Sequence, residues 1–251
     1  MLDKFKDIFF IEKGHQYTNI KTGEKLISVT TLIKKYQKDF NEDYWSKYKA
    51  KQYGVSQEVV LQNWDTKREL GLYLGSLVHS YIENYRSNKL IDFTSLPSFP
   101  LSSSQLLITE QYKKNLKLQA DKFLKDFEHY DLIVPELVVG NEFLAGQVDY
   151  PTKQCIIDFK NDIKIDYDNQ YQRFKKPLRH LSDCNYNKYC LQVSLYRYMM
   201  EEAGFTFTEK DKIIKFDRYS EDYECIEIPY LKEECKTILN DYKRSCLNTT
   251  D

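Results

Sequence analysis

Gly146-Gln147-Val148-Asp149-Tyr150-Pro151-Thr152-Lys153-Gln154-Cys155-Ile156-Ile157-Asp158-Phe159-Lys160 is the stretch from which the fold is read. Glu142 to Tyr150 and Gln154 to Phe159 are β-like runs, and Pro151-Thr152-Lys153 is the turn that folds one back on the other. Side chains alternate along a strand, so Asp158 and Lys160 share one face while Ile157 and Phe159 share the other. A carboxylate and an ammonium therefore stand side by side at the end of a buried strand. Antiparallel pairing brings Asp149 next to Asp158. Two carboxylates that close repel, and a hard divalent cation relieves the repulsion by taking oxygen ligands. Each part alone also has an ordinary reading. Asp158 and Lys160 make a strand-end ion pair, Asp149 starts a turn, and Gly146 stands where backbone or substrate comes close.

Outward from this hairpin, Leu132 to Val139 is a further β-like run. From Glu69 to Tyr85, apolar residues recur at three- and four-residue steps, the period of a helix with one buried face. That helix carries His79 and Glu83, four apart, on one side. Phe93 to Ser104, rich in Ser and Pro, forms a connection to a helix over Thr109 to Phe127. Toward the N-terminus, Phe9 to Tyr17 and Lys25 to Ser28 flank Asn19-Ile20-Lys21-Thr22-Gly23 as a hairpin. Val29 to Tyr36 reads as a short helix, and Ser56 caps another through Val59, Val60 and Trp64. Toward the C-terminus come a helix over Tyr186 to Ala203 closed by Gly204, a hairpin of Lys212 to Tyr219 with Tyr223 to Ile228, and a last helix over Leu231 to Cys246. Gln192 and Tyr196 share a helical face, either as core-edge packing or as side chains that brace the Asp158 strand or meet a phosphate. Strands in the middle with helices before and after give an α/β fold.

The composition bounds what this fold can do. With 251 residues, 41% hydrophobic and rich in Tyr (21) and Phe (14), the chain supports one large core, and its scarce Gly and Pro argue against disorder or repeats. A net charge of -1 supplies no global positive field, so nucleic-acid binding has to rest on a local patch. Arg173, Lys175, Lys176 and Arg179, interleaved with Phe174 and Leu178, are the candidate, with Lys34, Lys35, Lys47, Lys49 and Lys51 as additions; a solvated loop is the ordinary reading. The absence of a long apolar run points to a cytoplasmic protein with no membrane partner. Six cysteines without a CxxC pair indicate reduced thiols instead of a zinc knuckle or disulfide framework. No Gly-rich phosphate loop marks an ATP motor.

In chain order, Gly75-x3-His79-x3-Glu83, Gly146-x2-Asp149, Ile156-Ile157-Asp158-x-Lys160 and Gln192-x3-Tyr196 resemble the PD-(D/E)XK nuclease superfamily in its RecB-type branch, which includes phage recombination exonucleases. The resemblance spans residues 75 to 196. It implies a restriction-endonuclease-like core, a central mixed β-sheet flanked by helices, over residues 69–251, with residues 1–68 as an N-terminal hairpin and helical addition packed on it. It assigns His79, Asp149, Asp158 and the carbonyl of Phe159 as metal ligands, and Lys160 as the water-orienting lysine. Gln192 and Tyr196 become the trailing support, and Glu136 or Glu142 a further acidic position. The implied cofactor is one or two Mg²⁺ or Mn²⁺ ions. Many members of the branch also carry an iron-sulfur cluster. Here no cysteine precedes His79, and Cys225, Cys235 and Cys246 are widely spaced, so none is expected. The implied activity is hydrolysis of phosphodiester bonds in DNA by an exonuclease of phage or mobile-element recombination, repair or processing. A structure-specific or nicking endonuclease would share every catalytic residue, and a non-cleaving nucleic-acid-binding protein would share the fold. DNA is the expected partner, together with a helicase or a single-strand annealing or binding protein, and with further copies of the chain in a homo-oligomer.

Overall fold

The computed structural model describes residues 1–11, 14, 16–86, 93, 103–161 and 164–247. Its first strands, β1 (Ile8–Ile11), β2 (Gln16–Asn19) and β3 (Lys25–Ser28), form an antiparallel meander, with Ile8 opposite Asn19 and Tyr17 opposite Leu26. The run Phe9 to Tyr17, expected as one strand, is thus two strands paired with each other. Ser28 then caps α1 (Val29–Lys35), its Oγ accepting the Thr31 N–H at 3.1 Å. Helix α2 covers Glu42–Tyr53.

Two expected helices prove to be one. Helix α3 runs unbroken over Gln57–Arg86, because no Gly-Pro signal interrupts the sequence between the Ser56 cap and the periodic stretch from Glu69. The connection expected over Phe93 to Ser104 lies outside the described residues, except at Phe93 and at Ser103 and Ser104, with which α4 (Ser103–Asp126) begins.

The architecture is mixed α/β, a central mixed sheet flanked by helices. Strand β4 (Leu137–Gly140) pairs antiparallel with β5 (Leu144–Val148), and β3 joins the other edge of β5 in parallel, Ile27 opposite Leu144. The run expected from Leu132 contributes a ladder only from Leu137. Pro135 has no N–H to donate and makes a turn with Glu136, leaving Leu132 as an isolated bridge to Thr152. At Asp149 the chain changes partners. Beyond it, β6 (Tyr150–Pro151) pairs antiparallel with β7 (Ile156–Lys160), which lies parallel to β8 (Lys212–Lys215), itself bordered by β9 (Glu224–Glu227). Asp149 is the joint between a five-stranded and a four-stranded half.

Alternation along β7 sorts its side chains between two cores. Ile156, with Ile213 of β8, packs under α1, α5 (Asn185–Glu202) and α6 (Lys232–Leu247), where Leu32, Leu191 and Ile238 are fully buried. Ile157, Phe159 and Ile214 pack on the opposite side, against Leu74 and Val78 of α3 and Leu116 and Phe123 of α4. Burying such a side chain contributes roughly 1.5–3 kcal/mol, so both faces of β7 are firmly held. Among the described residues, no helix is long and apolar enough to cross a membrane.

Candidate active site

Gly71, Gly75, His79 and Glu83 recur every four residues on α3 and line one wall of an open cleft of about 1140 Å³. At its floor, His79 Nδ1 stands 3.1 Å from Glu136 Oε1 and 3.7 Å from Asp149 Oδ1. One ligand atom from each of His79, Glu136 and Asp149 falls within 4.8 Å of the others. The Phe159 ring meets the imidazole edge-on at 5.5 Å and fixes its orientation.

The ladders explain how these carboxylates meet. Leu137 pairs with Val148, so the next step sets Glu136 opposite Asp149, and the Glu136 N–H donates to the Asp149 carbonyl at 2.9 Å. Glu136 carries φ +52°, a left-handed conformation unusual for a side chain with a Cβ. Glu142, the competing acid, is exposed in the turn between β4 and β5, at the far end of the same hairpin. On the other side, Tyr150 pairs with Ile157, and the next step sets Asp149 opposite Asp158. The Phe159 N–H donates to Asp149 Oδ2 at 2.7 Å.

Asp158 and Lys160 share a face of β7, as alternation requires, and both look toward α5. Lys160 Nζ lies 2.5 Å from Asp158 Oδ2 and over the Tyr189 ring. The lysine is the charge partner of this buried oxygen. Gln192 Nε2 donates to the Tyr196 hydroxyl at 3.0 Å and reaches Asp158 Oδ1 at 3.4 Å. Tyr196 is packed in the core under α5, and Gln192 links it to Asp158, so the pair packs at the core edge and touches the Asp158 strand at once. Gly146 is required by Tyr196, not by a substrate. A Cβ at position 146 would run into the Tyr196 ring and crowd Val29.

The site is electrostatically tense. Burial pushes the Asp158 carboxyl, 1% exposed, up to about 6, with the charge of Asp149 adding to the push and Lys160 opposing it. Burial also raises Asp149, and Glu136 adds to the effect against the pull of His79. Burial by itself would lower the His79 pKa, but Asp149 and Glu136 outweigh it and lift the imidazole to about 9. One imidazole among closely spaced carboxylates is a donor set suited to a divalent cation. Asp158 is not within the three-residue cluster of His79, Glu136 and Asp149 but stands next to it, across from Asp149.

Cations line the cleft, and they are not the ones the sequence singled out. Lys67, Arg68, Lys164 and Arg218 join Lys160 on its walls. Arg173, Lys175, Lys176 and Arg179 do not. They are exposed in a segment that packs toward α1 and α6, where the Lys175 N–H donates to the Tyr36 carbonyl and His180 pairs with Glu234. Nothing local in the sequence marks Arg218 or Lys164. Lys67 and Arg68 follow from the four-residue steps once α3 is extended backward from Gly71.

No family model matches this chain, and no curated protein matches it. Among solved structures it is similar to a protein from Eubacterium rectale named a "Putative exonuclease", at 15% identity and a TM-score of 0.44 over 70% of this chain. The chain spans 65% of the length of that protein.

Proposed function

We propose that the chain is a divalent-metal-dependent nuclease that hydrolyses phosphodiester bonds in DNA. The observation that carries this reading is the convergence of His79, Glu136 and Lys160 at the floor of an open, cation-lined cleft, with the largely buried Asp149 and the buried Asp158 directly behind them. Mg²⁺ or Mn²⁺ held by these groups would supply Lewis-acid charge to a phosphate oxygen and acidify a water molecule. Lys160 adds positive charge where the phosphate gains negative charge on the way to the transition state, and it orients the attacking water. Gln192 and Tyr196 keep Asp158 in place, and Phe159 does the same for Asp149 through its backbone N–H.

The order of the motifs along the chain supports the PD-(D/E)XK superfamily in its RecB-type branch, and with it an exonuclease of phage or mobile-element recombination, repair or processing. The test is digestion of an end-labelled linear duplex and a covalently closed circle with Mg²⁺, with Mn²⁺ and with EDTA. Metal-dependent release of mononucleotides from the linear DNA, with the circle intact, is the expected result. A nicked circle makes the enzyme an endonuclease, and failure to cut either substrate with either ion overturns the nuclease reading.

A further inference from the structure

Arg218 follows β8 and is only 8% exposed, yet among the described residues no carboxylate pairs with its guanidinium. Its buried Nε has no hydrogen-bond partner. The guanidinium lies over the Tyr112 ring, 5.7 Å from its centroid, and faces the cleft that holds His79 and Lys160. A desolvated cation without a counter-charge is costly, and a bound anion removes that cost.

The segment that carries Arg218 is clamped. Asn115 Nδ2 donates to the Arg218 carbonyl at 2.9 Å. Gln119 Nε2 donates to the carbonyls of Asp217 and Ser220 at 2.8 and 2.6 Å, and Gln119 Oε1 accepts the Asp217 N–H at 2.9 Å. Both side chains are buried on α4, and Tyr112 stacks edge-on against Tyr219. The arginine is therefore held in place before any ligand arrives.

Its position sets the distance. A Cβ built on Gly71 would lie 3.8 Å from Arg218 Nη2, so the guanidinium tip sits beside Gly71. Gly71 precedes His79 by two helical turns on the same face of α3, a separation of about 12 Å. Phosphates on one strand of a duplex rise ~3.4 Å per step along the axis but also swing around it, so neighbours lie about 6–7 Å apart through space and about 12 Å corresponds to about two nucleotides. Lys67 and Arg68 continue the wall one turn further.

We propose that Arg218 anchors a second phosphate subsite, which takes a non-scissile backbone phosphate about two nucleotides along the strand from the bond broken at Asp158. This rests on the nuclease reading above. A guanidinium suits the role because its planar fork grips two phosphate oxygens at once.

The test is binding of a duplex oligonucleotide in EDTA, followed by fluorescence anisotropy over a series of salt concentrations. Arg218→Gln should weaken binding about tenfold or more and flatten the salt dependence by about one counterion. Arg218→Lys should keep the slope and lose part of the affinity. A second measurement uses the unaltered protein and oligonucleotides in which each phosphate in turn is an uncharged methylphosphonate. One position about two nucleotides from the cleaved bond should weaken binding, and it should cost the Arg218→Gln variant nothing more. An unchanged salt slope in folded Arg218→Gln overturns the subsite. So does a methylphosphonate series without a sensitive position at that distance, which decides the matter even if the variant fails to fold. Wild-type protein that binds no DNA overturns it as well. Wild-type protein that binds DNA but never cuts it with metal removes the nuclease reading and leaves the subsite to the metal-free binding result.

Discussion

The backbone N–H of Phe159 donates to Asp149 Oδ2 at 2.7 Å, tying a side chain at the joint of the two half-sheets to the middle of the strand that carries Asp158 and Lys160. This hydrogen bond holds one acid across from another although both are buried and their charges repel. Such an arrangement is unfavourable until a cation neutralises it, so metal binding and stability are coupled.

Asp149→Asn should separate the two effects. Asparagine keeps an acceptor for the Phe159 N–H and removes one negative charge, so the variant should melt no lower than wild type without metal. With Mg²⁺ or Mn²⁺ at about a hundredfold over Kd, wild type should gain about 2.7 kcal/mol, on the order of 5–10 °C, and the variant little or none. Calorimetric melting with and without EDTA is the measurement. Equal metal shifts in both proteins would remove Asp149 from the ligand set.

Lys160→Ala should abolish cleavage while leaving DNA binding largely in place. It should also cost about 3 kcal/mol, because it leaves Asp158, 1% exposed, without its opposite charge. Cleavage must therefore be assayed well below the variant's own melting temperature. Turnover that persists in the folded variant would sink the role given to Lys160.

Part of this site is written in local periodicity. The two-residue alternation puts Asp158 and Lys160 on one face, the four-residue step puts His79 and Glu83 on one wall, and the turn after Pro151 sets Asp149 across from Asp158. Strand register is not local, and the choice between Glu136 and Glu142 depended on it. Leu137 opposite Val148 brings Glu136 to Asp149, whereas Glu142 is six residues further along, in the turn at the far end of the hairpin, roughly 20 Å away. Arg218 was hidden for the same reason, since it reaches the cleft through the pairing of β8 with β7 and the clamp on α4. The basic stretch from Arg173 was conspicuous in composition, but composition carries no information on which wall a loop packs against.

Gly146→Ala tests the close approach of Tyr196. The added methyl meets an aromatic ring that cannot swing aside in a packed core, so the variant should lose about 1–3 kcal/mol and shift Tyr196 with Gln192 away from Asp158. Tyr196→Leu on the Gly146→Ala background should recover much of the stability without recovering activity. Additive losses in the double mutant, measured by urea unfolding, would show that the two positions do not meet.

His79 provides a pH signature in the metal-free protein. Its imidazole is raised to about 9 from an unfolded value near 6.5. A raised pKa stabilises the folded state fully below the unfolded value, and that contribution fades as pH climbs from about 6.5 through 9. Metal-free stability should fall across that window, and the His79 ring protons should titrate near its upper end by NMR. Glu136→Gln should move the titration down. A His79 titration at the unperturbed value would contradict the ion pairs drawn around it.

Glu136 combines a charge the site uses with a backbone shape that disfavours any residue bearing a Cβ. Glu136→Ala and Glu136→Gly both remove the carboxylate and its contact with His79, so both should lower metal affinity alike. They differ in that glycine adopts φ +52° without strain, while alanine keeps the penalty. Glu136→Gly should therefore be about 1 kcal/mol more stable than Glu136→Ala, although glycine ordinarily weakens a fold through its freedom in the unfolded chain. Chemical denaturation of the two variants in EDTA gives the difference directly. If alanine is equal or better, the strain at Glu136 is not real, and its acidic side chain carries no backbone cost that function must outweigh.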